Sequence, residues 1–409
     1  MKEKLKKLLE IFQKNKFLTI FVCIFLSIVI IFGATLGIIM GVINSRAVIK
    51  YESTRLDEGE VIYLASLFKS SYIASLVKGG NTKARDNSVF WSSASEIDGK
   101  TQGDLLREAF VEYISGIAVK NSLYLDTERF TSSQKKDIKA LLDTRLSYLG
   151  CDSKKDFNLM SDKLGFDYDD MLDASYLLYK ANTAFPLIYG DDGSNLKNFT
   201  SECDKYLNTY SHVALIFIRS EDVYVFDEEG KLTYDDEGQI VTRPLTAEER
   251  AEREGNAEKL RTYIKNLNEG LSGAITPETF ELYMKEHSDT DPEYINRGYY
   301  FHPSAQATAE FYEVYPEVVE RALDMEIGEY SEVSCSDGVC FIYRYDVAKN
   351  AYADTTNVFF TDFFSDGAAW CFGENIKALS EGVSFAEEFS NIDIVSIPSN
   401  SKYVIKGYN

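Results

Sequence analysis

Two cysteines close the segment CSDGVC, Cys335 to Cys340. Asp-Gly is a favoured two-residue hairpin turn, because both central positions need positive φ. With Asp337 and Gly338 at its centre, Cys335 faces Cys340 across two antiparallel strands. Opposed strand residues hold their Cβ atoms near the separation a disulfide requires. The pair is therefore expected to bridge in an oxidising compartment and to remain two thiols in a reducing one. Cys151, Cys203 and Cys371 have no assignable pairing, and Cys23 lies in an uncharged run. The histidines His212, His287 and His302 are isolated, and no pair has metal-ligand spacing, so neither metal nor cofactor is expected. No G-x-S-x-G, P-loop or H-E-x-x-H motif occurs. Asp289 and Asp291 read as turn caps. The acidic stretches DEEGK and DDEGQ lack the ligand density of a calcium loop and read as solvated turns.

Whether the cysteines bridge depends on the compartment, and the N-terminus bears on that. Residues 1–16 carry six lysines and two glutamates, and residues 17–44 carry no charge. That run is long enough to cross a bilayer as a helix, and no A-x-A-like cleavage site follows it. The preceding lysines put the N-terminus in the cytoplasm and the bulk of the chain outside, as a single-pass anchored protein. Within the span Gly33, Gly37 and Gly41 form a ridge on which two helices could dimerise. The net charge of −22 argues against nucleic acid as a partner, since phosphate contacts need clustered Lys and Arg.

The 409 residues suggest two or three domains, and an apolar content of 45% is enough for real cores. Apolar residues at helical spacing predict helices near 55–78, 103–120, 133–148, 154–164 and 168–181. Residues 45–210 thus read as an all-α domain. HVALIFI, His212 to Ile218, is a buried strand, followed by a hairpin insertion near 220–244. Thr246 and Glu249 form a capping box that opens a charged helix. Two more helices are expected near 279–286 and 315–325, before the CSDGVC hairpin. Residues 211–347 read as an α+β domain. The tail, 348–409, carries a helix near 366–380, then IDIVSIP and KYVIKGY as short strands, docking on the helical domain.

This order of features resembles the parvulin (PpiC-type) prolyl isomerase domain. The resemblance runs from HVALIFI through ETFELYMKEHSD and NRGYYF to VVERALDMEIGEYSEV and SDGVCFIYRYD. The single anchor, the helical domain and the tail resemble the PrsA/SurA-like extracytoplasmic foldases, with TQGDLLREAFVEYISGIAVKNSLYLD as the chaperone-domain helix. The resemblance implies a chain that binds unfolded or proline-containing secreted polypeptides. It also implies histidines in the first and last strands, but Leu215 and Cys340 stand at those positions. His212 takes the first place only if the strand shifts by three residues. The central polar position falls on Thr290 or Asp291. The long acidic hairpin departs from compact parvulins.

The barrier to prolyl rotation, about 18–20 kcal/mol, comes from amide resonance. An apolar groove lowers it by favouring the twisted amide, without forming a bond. Phe217, Tyr299, Tyr300, Phe301, Val314 and Val318 are the residues expected to line such a groove. With the histidines replaced, isomerase activity is expected to be weak or lost and peptide binding retained. The alternative is a non-catalytic assembly module that uses the parvulin fold as a clamp.

Overall fold

The computed structural model describes residues 47–229, 231–289, 292–295, 297–354 and 356–399. The predicted span at 17–44, its glycine ridge and KYVIKGY lie outside the described residues. The chain is α+β and divides into two compact units, one of residues 1–187 with 375–409 and one of residues 188–374.

The first unit begins with a hairpin of β1 (Ile49–Tyr51) and β2 (Thr54–Leu56). The longer helices that follow are α1 (Glu58–Lys78), α2 (Gln102–Thr127), α3 (Ser132–Tyr148), α4 (Lys154–Ser161) and α5 (Tyr168–Tyr189). Each predicted helix is present, yet the unit is not all-α. The short strand Ser384–Phe385 pairs antiparallel with β1, with Ile49 opposite Phe385. IDIVSIP forms turns rather than a strand, and its Ile394 and Ile397 are buried in the same core as Leu106, Phe110 and Ile114 of α2. The reason lies in Lys69, whose ammonium donates to the carbonyls of Val395 and Ile397, each at 2.7 Å. Those carbonyls are taken out of any sheet ladder.

Among the described residues α1 is long and apolar enough to cross a membrane. Its buried Glu60, Ser66 and Lys69 identify it instead as the core helix of this unit. Asp57 and Glu60 form a capping box at its start, with Glu60 accepting from the Asp57 N–H at 2.8 Å. Burial pushes the Glu60 carboxyl up to about 8, with Asp57, Asp173 and Asp170 adding to it against the Asp57 N–H bond. Burial likewise raises Asp170 to about 6. A carboxyl raised on folding contributes stability at low pH that is lost as pH rises through its folded pKa. The first unit should therefore melt at higher temperature at pH ~5.5 than at pH ~8.5. Glu60→Gln, neutral and isosteric, should remove most of that difference and stabilise the alkaline form by roughly 2 kcal/mol. Thermal melts of both proteins across this pH range test it; an unchanged pH profile in the variant would count against the buried-carboxyl account.

In the second unit α6 (Thr200–Leu207) precedes β3 (Ser211–Arg219). The insertion carries β4 (Asp222–Tyr224) and β5 (Thr242–Pro244), which pair with each other. Next come α7 (Ala247–Asn268), opened by the Thr246–Glu249 capping box, and α8 (Pro277–His287). Then follow β6 (Tyr299–Phe301), α9 (Gln306–Val314), α10 (Pro316–Asp324), β7 (Tyr330–Cys335), β8 (Gly338–Tyr345) and the first part, to residue 374, of α11 (Phe363–Ser380). The sheet order is β6-β3-β8-β7, antiparallel throughout. Residues 188–210 and 348–374 belong to this unit because aromatic rings hold them there. Tyr206 lies 5.0 Å from His302, 5.2 Å from Phe363 and 5.5 Å from Trp370.

Strand alternation gives the sheet two different faces. Ala214, Ile216 and Ile218 of β3 pack with Phe341 and Tyr343 of β8 against Ala257 and Leu260 of α7 and Phe280 and Met284 of α8. Val213, Leu215, Phe217 and Arg219 point to the opposite face, along which α10 packs. That second face carries the candidate site.

Candidate functional site

The expected disulfide does not form: Cys335 and Cys340 are free thiols. The hairpin loop is Ser336–Asp337, one residue earlier than the Asp-Gly reading. Cys335 therefore faces Gly338, and Cys340 faces Val333. Gly338 is the first residue of β8, at φ +153, where an added Cβ would sit 2.1 Å from the Ile218 carbonyl oxygen. The glycine serves the close approach of β8 to β3, and the turn falls beside it. Cys335 and Cys340 lie on one face as diagonal neighbours, a spacing wider than opposed residues have. Burial raises the pKa of both thiols, most for Cys340, which is fully buried opposite Phe217.

Beside Phe217, the groove face holds a cavity of about 330 Å³. Phe217 from β3, Tyr299 from β6, and Phe311, Val314 and Tyr315 from α9 and its end form apolar walls, with Phe359 closing another side. Phe217 and Tyr315 meet at 4.7 Å between ring centres, and Tyr299 and Phe311 at 5.3 Å. The insertion supplies the remaining wall through Leu232 and Ile240. These two occupy matching places in a tandem repeat, FDEEGKLT and YDDEGQIV. Phe226 bridges Leu232, and Tyr234 bridges Ile240. In each turn an aspartate accepts from two backbone amides: Asp227 from Glu229 and Lys231, Asp235 from Glu237 and Gln239. The acidic turns are thus closed by their own carboxylates, as the solvated-turn reading expects.

One end of the cavity is polar. Arg219 is nearly buried and pairs with Asp222 at 2.6 Å and Asp337 at 3.1 Å. Its guanidinium lies 4.5 Å from the Tyr224 ring centre and donates to the Tyr224 hydroxyl at 3.0 Å. Burial disfavours the arginine's charge, but Asp222, Tyr224 and Asp337 outweigh it and raise its pKa. Tyr315 donates to Asp337 at 3.0 Å. Asp289 accepts from the Arg219 N–H at 3.0 Å and pairs with Arg253. Its own N–H donates to the Phe217 carbonyl at 2.8 Å. The sheet edge beside the cavity is therefore closed by the 288–289 segment.

The structure distributes the predicted residues unevenly. Phe217, Tyr299 and Val314 line the cavity. Tyr300 does not: alternation turns it to the other face, where its ring stacks on His212 at 4.2 Å. Phe301 and Val318 are fully buried core. Leu215 and Cys340 are on the groove face but beneath its surface, both completely buried. Thr290 and Asp291 lie outside the described residues; their neighbour Asp289 lines the cavity. His212 bonds the Asp346 carbonyl at 3.1 Å and is lowered in pKa by burial. His302 bonds Ser304 at 2.8 Å, and His287 meets Asn256 at 3.2 Å. Among the described residues no imidazole lines the cavity, and no group of His, Cys, Asp or Glu is placed to hold a metal. Arg219, Tyr315, Phe311 and Phe359 line the cavity as well, beyond the residues expected from sequence. Counting by two from Phe217 along β3 would have reached Arg219; Phe359 comes from a distant segment and had no local signal.

No protein-family model and no curated protein matches this chain. Among solved structures it is similar to PrsA from Bacillus subtilis, at 15% identity over 71% of this chain and 93% of that one, with a TM-score of 0.18. It is similar to the peptidylprolyl isomerase PrsA from Bacillus anthracis, at 16% identity over 67% and 95%, with a TM-score of 0.20. The foldase protein PrsA from Streptococcus pneumoniae gives 10% identity over 76% and 100%, with a TM-score of 0.17. At identities and scores this low, the function of this chain rests on its own residues.

Proposed function

We propose that this chain is a membrane-anchored extracytoplasmic foldase or chaperone whose second unit clamps extended polypeptide segments. Its prolyl isomerase chemistry is weak or lost. The observation that carries this reading is the apolar cavity on the sheet face, walled by Phe217, Tyr299, Phe311 and Phe359 and free of imidazole among the described residues. Such a cavity desolvates an apolar or prolyl side chain. Its polar end is engaged internally: Arg219 is held by Asp222 and Asp337. Among the described residues, no group there is aligned by a histidine to assist a twisting amide. The parvulin-like order of elements and the lysine-flanked apolar run at 17–44 support the foldase setting.

The test uses the full chain in detergent micelles. A protease-coupled assay on proline-containing peptides should give isomerisation within about twofold of the spontaneous rate, whose barrier is ~18–20 kcal/mol. The same preparation should suppress aggregation of an unfolded secreted protein. Robust isomerisation would overturn the reading that the isomerase chemistry is weak or lost, and failure to delay aggregation would overturn the chaperone reading.

A further inference from the structure

A second cavity of about 240 Å³ adjoins the first, and the two share Ala307, Glu310, Val358 and Phe359 as lining. Their chemistry differs. The first is mainly aromatic and aliphatic, and Arg219 in its lining is committed to Asp222 and Asp337. The second is lined by Glu310, Asp362 and Asp366 and, among the described residues, by no Lys, Arg or His. Burial, and then the neighbouring Asp362, raise the Asp366 carboxyl. A negative charge there has no matching cation among the described lining residues. Asp362 and Asp366 also stand at the start of α11, where the helix dipole favours acids. That accounts for these two, but Glu310 comes from the separate helix α9.

Resting on the clamp reading, we propose that the two cavities form one bipartite site for an extended segment in which a Lys or Arg lies near an apolar or prolyl residue. The apolar side chain enters between Phe217, Phe311 and Phe359. The cationic side chain reaches past the shared wall to Glu310, Asp362 and Asp366. Charge complementarity selects this occupant over an uncharged or acidic one. The site discriminates by the neighbours of the apolar residue rather than by that residue alone.

The test is fluorescence anisotropy with the full chain and three labelled peptides built around one Leu-Pro pair. One carries flanking lysines, one flanking glutamates and one flanking serines. The lysine peptide should bind about tenfold tighter than the serine peptide at low salt, with the glutamate peptide weakest. At ~0.5 M salt the ranking should collapse. The double variant Asp362→Asn, Asp366→Asn, at positions that line the second cavity and not the first, should remove most of the lysine advantage, which a purely helix-capping role would not do; an undiminished lysine advantage overturns the bipartite site. Equal binding of all three peptides overturns the bipartite site and leaves the clamp standing. Binding of none overturns the clamp reading and this inference with it.

Discussion

Lys69→Ala is expected to destabilise the first unit by about 3–5 kcal/mol, the range for removing one partner of a buried ion pair. Lys69 is 1% exposed and its ammonium lies 2.8 Å from Asp86. It also sits 5.0 Å from the Trp91 ring centre. Asp86 in turn accepts from the Trp91 indole at 3.0 Å and from the Ser399 N–H at 2.8 Å. Burial opposes the carboxylate, but Lys69, the Ser399 amide and Trp91 together hold its pKa well below the usual range. Alanine leaves that carboxylate without its ammonium and takes the donor from the Val395 and Ile397 carbonyls. The C-terminal segment should loosen first, because those carbonyls are its anchor. Thermal melts followed by Trp91 fluorescence, with Trp370 replaced by Phe, report the change. Asp86→Asn combined with Lys69→Met should lose less than the sum of the two single changes, since the two charges are coupled. A Lys69→Ala protein that melts like the parent would refute the anchoring role.

Gly338→Ala is expected to cost about 2–4 kcal/mol in the second unit, through a backbone conformation alanine cannot adopt and a contact that cannot relax. The new Cβ would meet the Ile218 oxygen at 2.1 Å and the Arg219 Cα at 3.0 Å, both backbone atoms of β3. The strands must part at the point where Asp337 reaches Arg219, so peptide affinity should also fall at temperatures where the variant stays folded. Gly328→Ala is the control. It has φ +85 but nothing within 4 Å of an added Cβ, so only the strain of about 1 kcal/mol remains. Comparable losses in the two variants would show that crowding between β3 and β8 is not what reserves position 338 for glycine.

Much of the architecture could be read from local pattern. Apolar residues at helical spacing, the Thr246–Glu249 capping box and the β-rich run HVALIFI each act over a few residues, and each element formed where its pattern stood. The hairpin turn falls one residue before the Asp-Gly pair. Asp-Gly is a turn signal when only the turn is considered, whereas Gly338 answers to β3, a strand more than a hundred residues earlier. That one-residue change removed the disulfide, because it moved Cys335 from Cys340 to Gly338. The groove was half legible for a similar reason. Tyr299, Tyr300 and Phe301 look alike in the chain, but pairing with β3 sends Tyr300 to one face and Tyr299 and Phe301 to the other.

What this sequence determines by itself is whatever a few neighbouring residues decide: the positions of helices, the principal strand, the closed acidic turns and the uncharged run near the start. Tertiary structure decided which side chains share a surface. Phe217, Phe311 and Phe359 come together only after β3, α9 and the segment following β8 have folded around one sheet. Lys69 likewise finds the C-terminal carbonyls across more than three hundred residues. Contacts of that separation depend on how whole elements pack, and no local spacing encodes them.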